Sequence, residues 1–311
     1  MRVIIVGGTG FIGRELCVAL LAHGHDVVVT SRCPDRVERL FGGRVGAAAW
    51  DGRDPESFAR LLDEATQPQV VVNLVGENIA NGYWTAAKKR RILDSRVVPG
   101  RALARAVAIA DGPVAAFVQA SAVGYYGYDA SADDRPVDEN SPKGRGFLAD
   151  VCEAWEGSVA AVAECGVRLA LARTGVVLGP GGGVLERFVP PFRMYLGGPL
   201  GSGRQWFPWI HAADEVAALA FLAEREDARG AFNLVSPGVV TMGDFCAGIG
   251  RVLGRPSWLG VPGFALRLVL GDMAREVVLA SHRAVPARLL EMGFVFGYPD
   301  LRVALGNIFN D

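Results

Sequence analysis

Behind a short apolar run, Val3 to Val6, the chain reads Gly7-Gly8-Thr9-Gly10-Phe11-Ile12-Gly13. The spacing satisfies G-x-G-x-x-G from Gly8 and G-x-x-G-x-x-G from Gly7, and a helical pattern from Phe11 to Ala22 follows at once. A strand, a glycine turn and a helix in that order leave few folds open. Glycine permits the tight turn and a close approach of main chain to ligand. The first amides of the helix, which have no acceptors of their own, favour an anion. Such a loop is shaped to seat a pyrophosphate, which predicts dinucleotide contacts from Gly7, Thr9, Gly10, Phe11, Ile12 and Gly13.

The first half of the chain keeps this rhythm. Short apolar runs recur at Val27 to Thr30, Val45 to Trp50, Val70 to Leu74, Ala115 to Ala120 and Val167 to Ala172. Helical patterns separate them at Pro55 to Ala65, Trp84 to Ala110 with an expected break at Pro99-Gly100, and Phe147 to Ala163. Strands apolar on both faces and joined through helices predict an α/β fold with a Rossmann-like, doubly wound parallel sheet. Residues 1–175 read as the dinucleotide-binding domain. Residues 176–311 are rich in Gly-Pro loops, with helices expected near 214–224, 241–253, 263–281 and 286–291. That half reads as a smaller, helix-rich, substrate-side lobe partly interleaved with the sheet.

The end of the second strand sets the nucleotide preference. An acidic residue there would accept hydrogen bonds from the adenosine ribose 2'-hydroxyl. This chain has Thr30-Ser31-Arg32 instead. With no carboxylate to repel a 2'-phosphate and a guanidinium able to grip one, Ser31 and Arg32 predict NADP(H) over NAD. Asp51, closing the third run, reads either as a partner for the adenine amino group or as a turn residue.

Charge and cysteine usage narrow the setting. Thirty-two Lys and Arg against thirty-three Asp and Glu give a net charge of -1 with no long single-sign run, so nucleic acid is not an expected partner. Five widely spaced cysteines without a CxxC pair fit reduced thiols in a cytoplasm better than a disulfide framework or a metal site. His23 and His25, flanking Gly24, read as helix-terminal residues, and no metal is expected. No stretch is apolar enough to predict a membrane span. Oligomeric state is not legible.

Three further stretches carry a resemblance: Asn73-Leu74-Val75-Gly76, Ser121-Ala122-Val123-Gly124-Tyr125-Tyr126-Gly127, and Arg173-Thr174-Gly175-Val176-Val177-Leu178-Gly179. With the glycine loop, they make the chain similar to the extended and atypical short-chain dehydrogenases/reductases. Gly197 to Gln205, Trp209-Ile210-His211 and Pro286 to Phe294 narrow the resemblance to the epimerase-like branch, the NAD-dependent epimerase/dehydratase family. The resemblance implies a nucleotide site completed by Leu74, Val75, Gly76 and Arg173, and a lobe closing over a small molecule that is reduced or epimerised. It also implies a Tyr-x-x-x-Lys pair for the proton, the lysine lowering the tyrosine pKa. That pair is absent: no tyrosine of the chain has lysine four residues on, and Leu148 and Cys152 stand at the two places.

Two functions therefore stay open. In the enzymatic one, Ser121 hydrogen-bonds a carbonyl or hydroxyl, and Tyr125 or Tyr126 supplies the proton. In the other, the chain binds NADP(H) without turnover, as a regulatory protein; some members of the branch are associated with cell or plastid division. Arg204, Trp209 and His211 are the candidate substrate contacts, on a glycine-rich loop suited to closing over a ligand. His211 could instead cap the helix beginning near Asp214, itself expected as the N-cap. Lys88 to Arg91 reads as a solvated face, and Leu148, Val151, Cys152, Trp155 and Val159 as one apolar helical face.

Overall fold

A computed structural model describes residues 1–129 and 134–310. In chain order the elements of the first half are β1 (Arg2–Val6), α1 (Phe11–Ala22), β2 (Asp26–Ser31), α2 (Pro34–Phe41), β3 (Gly46–Ala49), α3 (Pro55–Asp63), β4 (Gln69–Asn73), α4 (Ala86–Ile109), β5 (Val114–Ala122), α5 (Phe147–Gly157), α6 (Ala161–Glu164) and β6 (Arg168–Thr174). The second half holds β7 (Val176–Leu178), α7 (Leu185–Arg193), β8 (Trp206–Phe207), β9 (Trp209–His211), α8 (Ala212–Glu224), β10 (Gly230–Leu234), β11 (Val240–Thr241), α9 (Met242–Leu253), α10 (Gly263–Leu270), α11 (Ala287–Glu291) and α12 (Leu301–Asn310).

Seven parallel strands form the central sheet in the order β10-β6-β5-β4-β1-β2-β3. The order reverses between β1 and β4, and the crevice beyond the strand ends at such a point is where doubly wound folds hold ligands. Every residue of β1 and of β4 is buried, as strands covered on both faces must be. On one face Val3, Ile5, Leu16 and Leu20 pack with Leu219, Leu222 and Phe232. On the other, Ile4, Phe58, Leu62, Leu103 and Phe117 pack together. A further cluster of Phe192, Trp209, Phe245, Ile249 and Leu305 is the core of the smaller lobe. The two halves share a core, because β10 is an edge strand of the sheet and α8 packs against α1.

Several elements differ from expectation. α4 runs unbroken through Pro99, which removes one helical hydrogen bond while buried Ala102, Leu103 and Val107 hold the helix to its neighbours. Gly100 has its own purpose there: a side chain would overlap the Ser158 hydroxyl, so its absence lets the following segment pack against α4. The helix expected over 263–281 is interrupted at Gly271, whose φ is 58°, and helical structure resumes as a π-helical turn over Ala274–Val278. The helix expected to reach Ala163 is divided into α5 and α6. The seventh sheet strand, β10, is five residues with a buried Asn233, too short and too polar to stand out in sequence. No helix among the described residues is long and apolar enough to cross a membrane.

Candidate functional site

At the turn point of the sheet, Leu74 N–H donates to the Val6 carbonyl (2.8 Å), which brings the ends of β1 and β4 side by side. Gly7 turns the chain with φ of 92°, and a Cβ there would stand 3.1 Å from the Leu74 carbonyl carbon. Gly13 lets α1 close onto the loop, since a Cβ would meet the Gly7 oxygen at 2.5 Å. α1 begins without a side-chain cap or an acidic residue in its first turn. The amides of Phe11, Ile12 and Gly13 precede the first α-helical bond, Arg14 N–H to the Gly10 carbonyl, so that end carries free donors and a positive dipole. The Phe11 ring lies against Gly179, Gly182 and Gly183, which leaves its amide rather than its side chain for a ligand.

Beyond the ends of the neighbouring strands β2 and β3, Arg32 and Asp51 come together. With Ala49, Trp50, Asp54 and Ser57 they line an open recess of about 330 Å³ at the ends of β2 and β3. Arg32 is exposed. One Asp51 oxygen accepts from the Arg53 and Asp54 amides (2.7 and 3.0 Å), bonds that hold its pKa low, so the turn function expected of it is present. Asp54 likewise accepts from Glu56 and Ser57 as the cap of α3. The Ser31 hydroxyl is engaged with Cys33. The residues present fit a phosphorylated dinucleotide: free helix-end amides, a close-approach glycine turn and a cation at the adenosine end.

The crevice beyond β5 and β6 is built differently. Ser121 Oγ donates to Glu156 (2.7 Å), and Glu156 takes two hydrogen bonds from Arg173 (2.9 Å each). Arg173 also donates to the Tyr126 hydroxyl (3.2 Å), which in turn donates to Asn233 (2.7 Å). The Arg173 guanidinium lies 3.5 Å from the centre of the Tyr125 ring. Burial pushes the Tyr126 hydroxyl up to about 12 despite the neighbouring cation. Ser121, Tyr126 and Arg173 thus stand together in one satisfied, buried network, with their polar atoms directed at one another.

Beside that network is a cavity of about 170 Å³. Its walls include Ala122, Val123 and Gly124 after β5, Gly175 and Val176 after β6, and Leu148 and Cys152 of α5. Neither Tyr125 nor Tyr126 lines it. Burial pushes the Cys152 thiol up to about 12, which removes it as a nucleophile at neutral pH. Thr174, also in the wall, donates to Glu215 (2.8 Å), whose carboxyl burial raises to about 8. Two further wall residues carry buried nitrogens with no partner among the described residues, Trp155 Nε1 and His282 Nε2. Burial lowers the His282 imidazole to about 4, so it is neutral. Arg96 of α4 and Glu276, whose carboxylate accepts from the Leu148 amide (2.8 Å), are the charged groups of the wall. In sequence Trp155 is marked only as an apolar position and Arg96 and His282 are not marked at all, because they reach the cavity from three separate segments with no local motif.

The loop residues chosen as substrate contacts are distributed elsewhere. Arg204 is exposed and outside the cavity, and Trp209 is in the small-lobe core with its indole donating to the Gly238 carbonyl (2.9 Å). Trp206, from the same loop, is the one in the cavity wall. His211 caps α8 by accepting from Ala213 N–H (3.1 Å) and stacks on Tyr298 at 3.9 Å. Asp214, expected as the cap, accepts instead from Gly297 and Tyr298 amides and tethers the chain after α11. Lys88 is buried rather than solvated, bonded to Glu77 (2.6 Å) and the Asn78 carbonyl. His23 and His25 both bond one Glu224 oxygen (2.7 and 2.9 Å), joining the ends of α1 and α8. Burial opposes the charge on Glu224, but these bonds hold its pKa low.

Residues 3–235 match the model of the NAD dependent epimerase/dehydratase family, and residues 261–308 match a domain of unknown function, DUF1731. The chain is 42% identical over 305 residues to an epimerase family protein of Mycobacterium bovis, covering 98% of this chain and 96% of that one. It resembles the crystal structure of human epimerase family protein SDR39U1 with NADPH, at 33% identity, a TM-score of 0.87 and full coverage of both chains. It also resembles a nucleoside-diphosphate sugar epimerase from Corynebacterium glutamicum, at 31% identity and a TM-score of 0.79, covering 99% of this chain and 58% of that one. The chain belongs to the NAD dependent epimerase/dehydratase family.

Proposed function

We propose that this family member binds NADP(H) along the crevice from Arg32 to Gly76 and passes a hydride between the nicotinamide and a small molecule in the cavity beyond β5 and β6. The observation that carries this reading is the uncapped start of α1, with its free amides at the point where the strand order reverses. The human relative crystallised with NADPH supports it, as does the exposed Arg32 where an NAD site would place a carboxylate. NADPH supplies the hydride when bound. The chain holds the nucleotide through backbone amides and Arg32, and its largely carbon-lined cavity holds the second reactant. Tyr126 is committed to Arg173 and Asn233 and neither Tyr125 nor Tyr126 lines the cavity, so the proton that accompanies reduction enters from solvent. All five cysteines are free, which suits a reducing compartment such as the cytoplasm.

One observation favours a second reading, nucleotide binding without turnover: Leu148 and Cys152 stand where the family's tyrosine and lysine belong, and both line the cavity. The two readings part on NADPH consumption. Oxidation of NADPH by wild-type protein with a panel of small ketones, aldehydes and quinones supports hydride transfer. Saturable NADPH binding with no consumption across the panel supports the second reading.

A further inference from the structure

Among the described residues of the cavity wall, Arg96 has no ion-pair partner, whereas the other charged group, Glu276, accepts from the Leu148 amide (2.8 Å) and pairs with Arg275 (3.4 Å). The basic groups around it have carboxylates: Lys88 has Glu77, and Arg173 has Glu156. No carboxylate lies within ion-pair distance of Arg96 among the described residues. Its Nη1 donates to the Ile92 carbonyl (3.0 Å) and to Ser95 Oγ (3.4 Å), both on its own helix. Nε and Nη2, which together form one edge of the guanidinium fork, donate to nothing among the described residues. The group is nonetheless held in place. Its Cζ lies 4.9 Å from the Trp155 ring centre, and Gly76 leaves it room, since a Cβ there would stand 2.9 Å from that carbon. Arg96 is half-buried, and burial lowers its pKa against the opposing pull of Cys152 and the more distant Glu77.

Trp155 supplies an independent second feature. The residue is 6% exposed and its Nε1–H has no acceptor among the described residues. A buried indole donor in the same wall as an unanswered fork is an unfinished arrangement. The remaining wall is mostly carbon: Leu148, Val151, Phe207, Met242 and Val277 among others. At about 170 Å³ the space is below the roughly 300 Å³ at which drug-sized pockets begin, too little to enclose a nucleotide sugar.

We infer that the cavity recognises a small carboxylate with an apolar body, its two oxygens on the Nε and Nη2 edge of Arg96 and one of them also accepting from Trp155 Nε1. A guanidinium fork matches a carboxylate in two parallel bonds, and in a water-poor site that match outweighs what an uncharged isostere can offer. The inference rests on the functional reading above, in that the ligand sits beside the bound nucleotide.

Calorimetric titration tests it with benzoate against benzamide, a pair alike in shape and different in charge. Wild-type protein is first titrated with NADPH, and the probes are then added to the NADPH-saturated protein. Benzoate binds and benzamide binds about tenfold more weakly or worse. Arg96→Gln removes that preference while its NADPH affinity stays within about twofold, and Arg96→Lys, which keeps the charge without the fork, recovers part of it. Thermal melts of both variants confirm folding, and the lysine variant serves if the glutamine variant does not fold. Failure of wild-type protein to bind NADPH overturns the functional reading. NADPH binding together with equal affinity for the two probes, or with neither probe binding, overturns the inference alone. A loss of NADPH affinity in Arg96→Gln also overturns it, by assigning the side chain to the nucleotide.

Discussion

The two ends of the crevice are made from different material. At the proposed nucleotide end the groups on offer are main-chain amides and one exposed guanidinium, with no side-chain cap on the helix start. Beyond β5 and β6 the polar groups are side chains, and Ser121, Glu156, Arg173, Tyr126 and Asn233 are bonded to one another. A site built from backbone conformation tolerates change in its side chains as long as the glycines remain. A site built from side chains loses its chemistry when one is redirected into packing. That difference explains how a chain can keep the family's dinucleotide loop while Leu148 and Cys152 occupy the places of the proton-transfer pair.

Three substitutions can break or sharpen this contrast. The largest effect belongs to Glu156→Ala. It leaves the Arg173 guanidinium buried without its partner, and chemical denaturation is expected to show a loss of about 3–5 kcal/mol. A loss below about 1 kcal/mol would mean that the network is not structural and that Ser121 is free to act on a ligand.

Glu215→Gln is next. With its carboxyl raised to about 8 by burial, Glu215 holds a proton in the fold that it sheds near 4.5 when unfolded. Stability is therefore lost as pH rises from about 4.5 through 8, because the folded chain binds more protons than the unfolded one over that window. Glutamine imitates the protonated form and can still accept from Thr174. Melts at pH 8 are expected to show the variant more stable by on the order of 3 kcal/mol, and melts below pH 4.5 to show little difference. Equal stability at pH 8 would place water or a cation beside the carboxylate.

The smallest of the three is Gly13→Ala. Its new Cβ presses on the Gly7 oxygen and the Gly8 Cα, and the strain of opening the loop costs about 1–3 kcal/mol in stability. NADPH affinity should fall with it, whereas Glu156→Ala, if still folded, should bind NADPH as wild type does. The opposite pattern would erase the distinction between the two ends.

The nucleotide end was legible in sequence because its parts are local: the glycine loop spans seven consecutive residues, and Arg32 follows directly on its strand. Strand runs that are apolar on both faces announced six of the seven sheet strands for the same reason. β10 was not legible, since Asn233 interrupts a run whose partner, β6, ends more than fifty residues earlier. Lys88 looked solvated because nothing local shows Glu77 folding back onto α4. His211 took the cap expected of Asp214 because an imidazole nitrogen can accept as an aspartate does, and the Gly297 and Tyr298 amides drew the carboxylate away. Arg96, Trp155 and His282 meet only after α4, α5 and the segment before α11 have packed, so no linear spacing marks them.

The most direct test of the account is a calorimetric comparison of NADPH and NADH on the wild-type protein and on Arg32→Asp. Wild type is expected to bind NADPH more tightly than NADH by about tenfold or more, from the charged hydrogen bonds of Arg32 to the 2'-phosphate, and the variant to lose that preference while keeping its NADH affinity. Binding of neither nucleotide, or an equal loss of both in the variant, would contradict it.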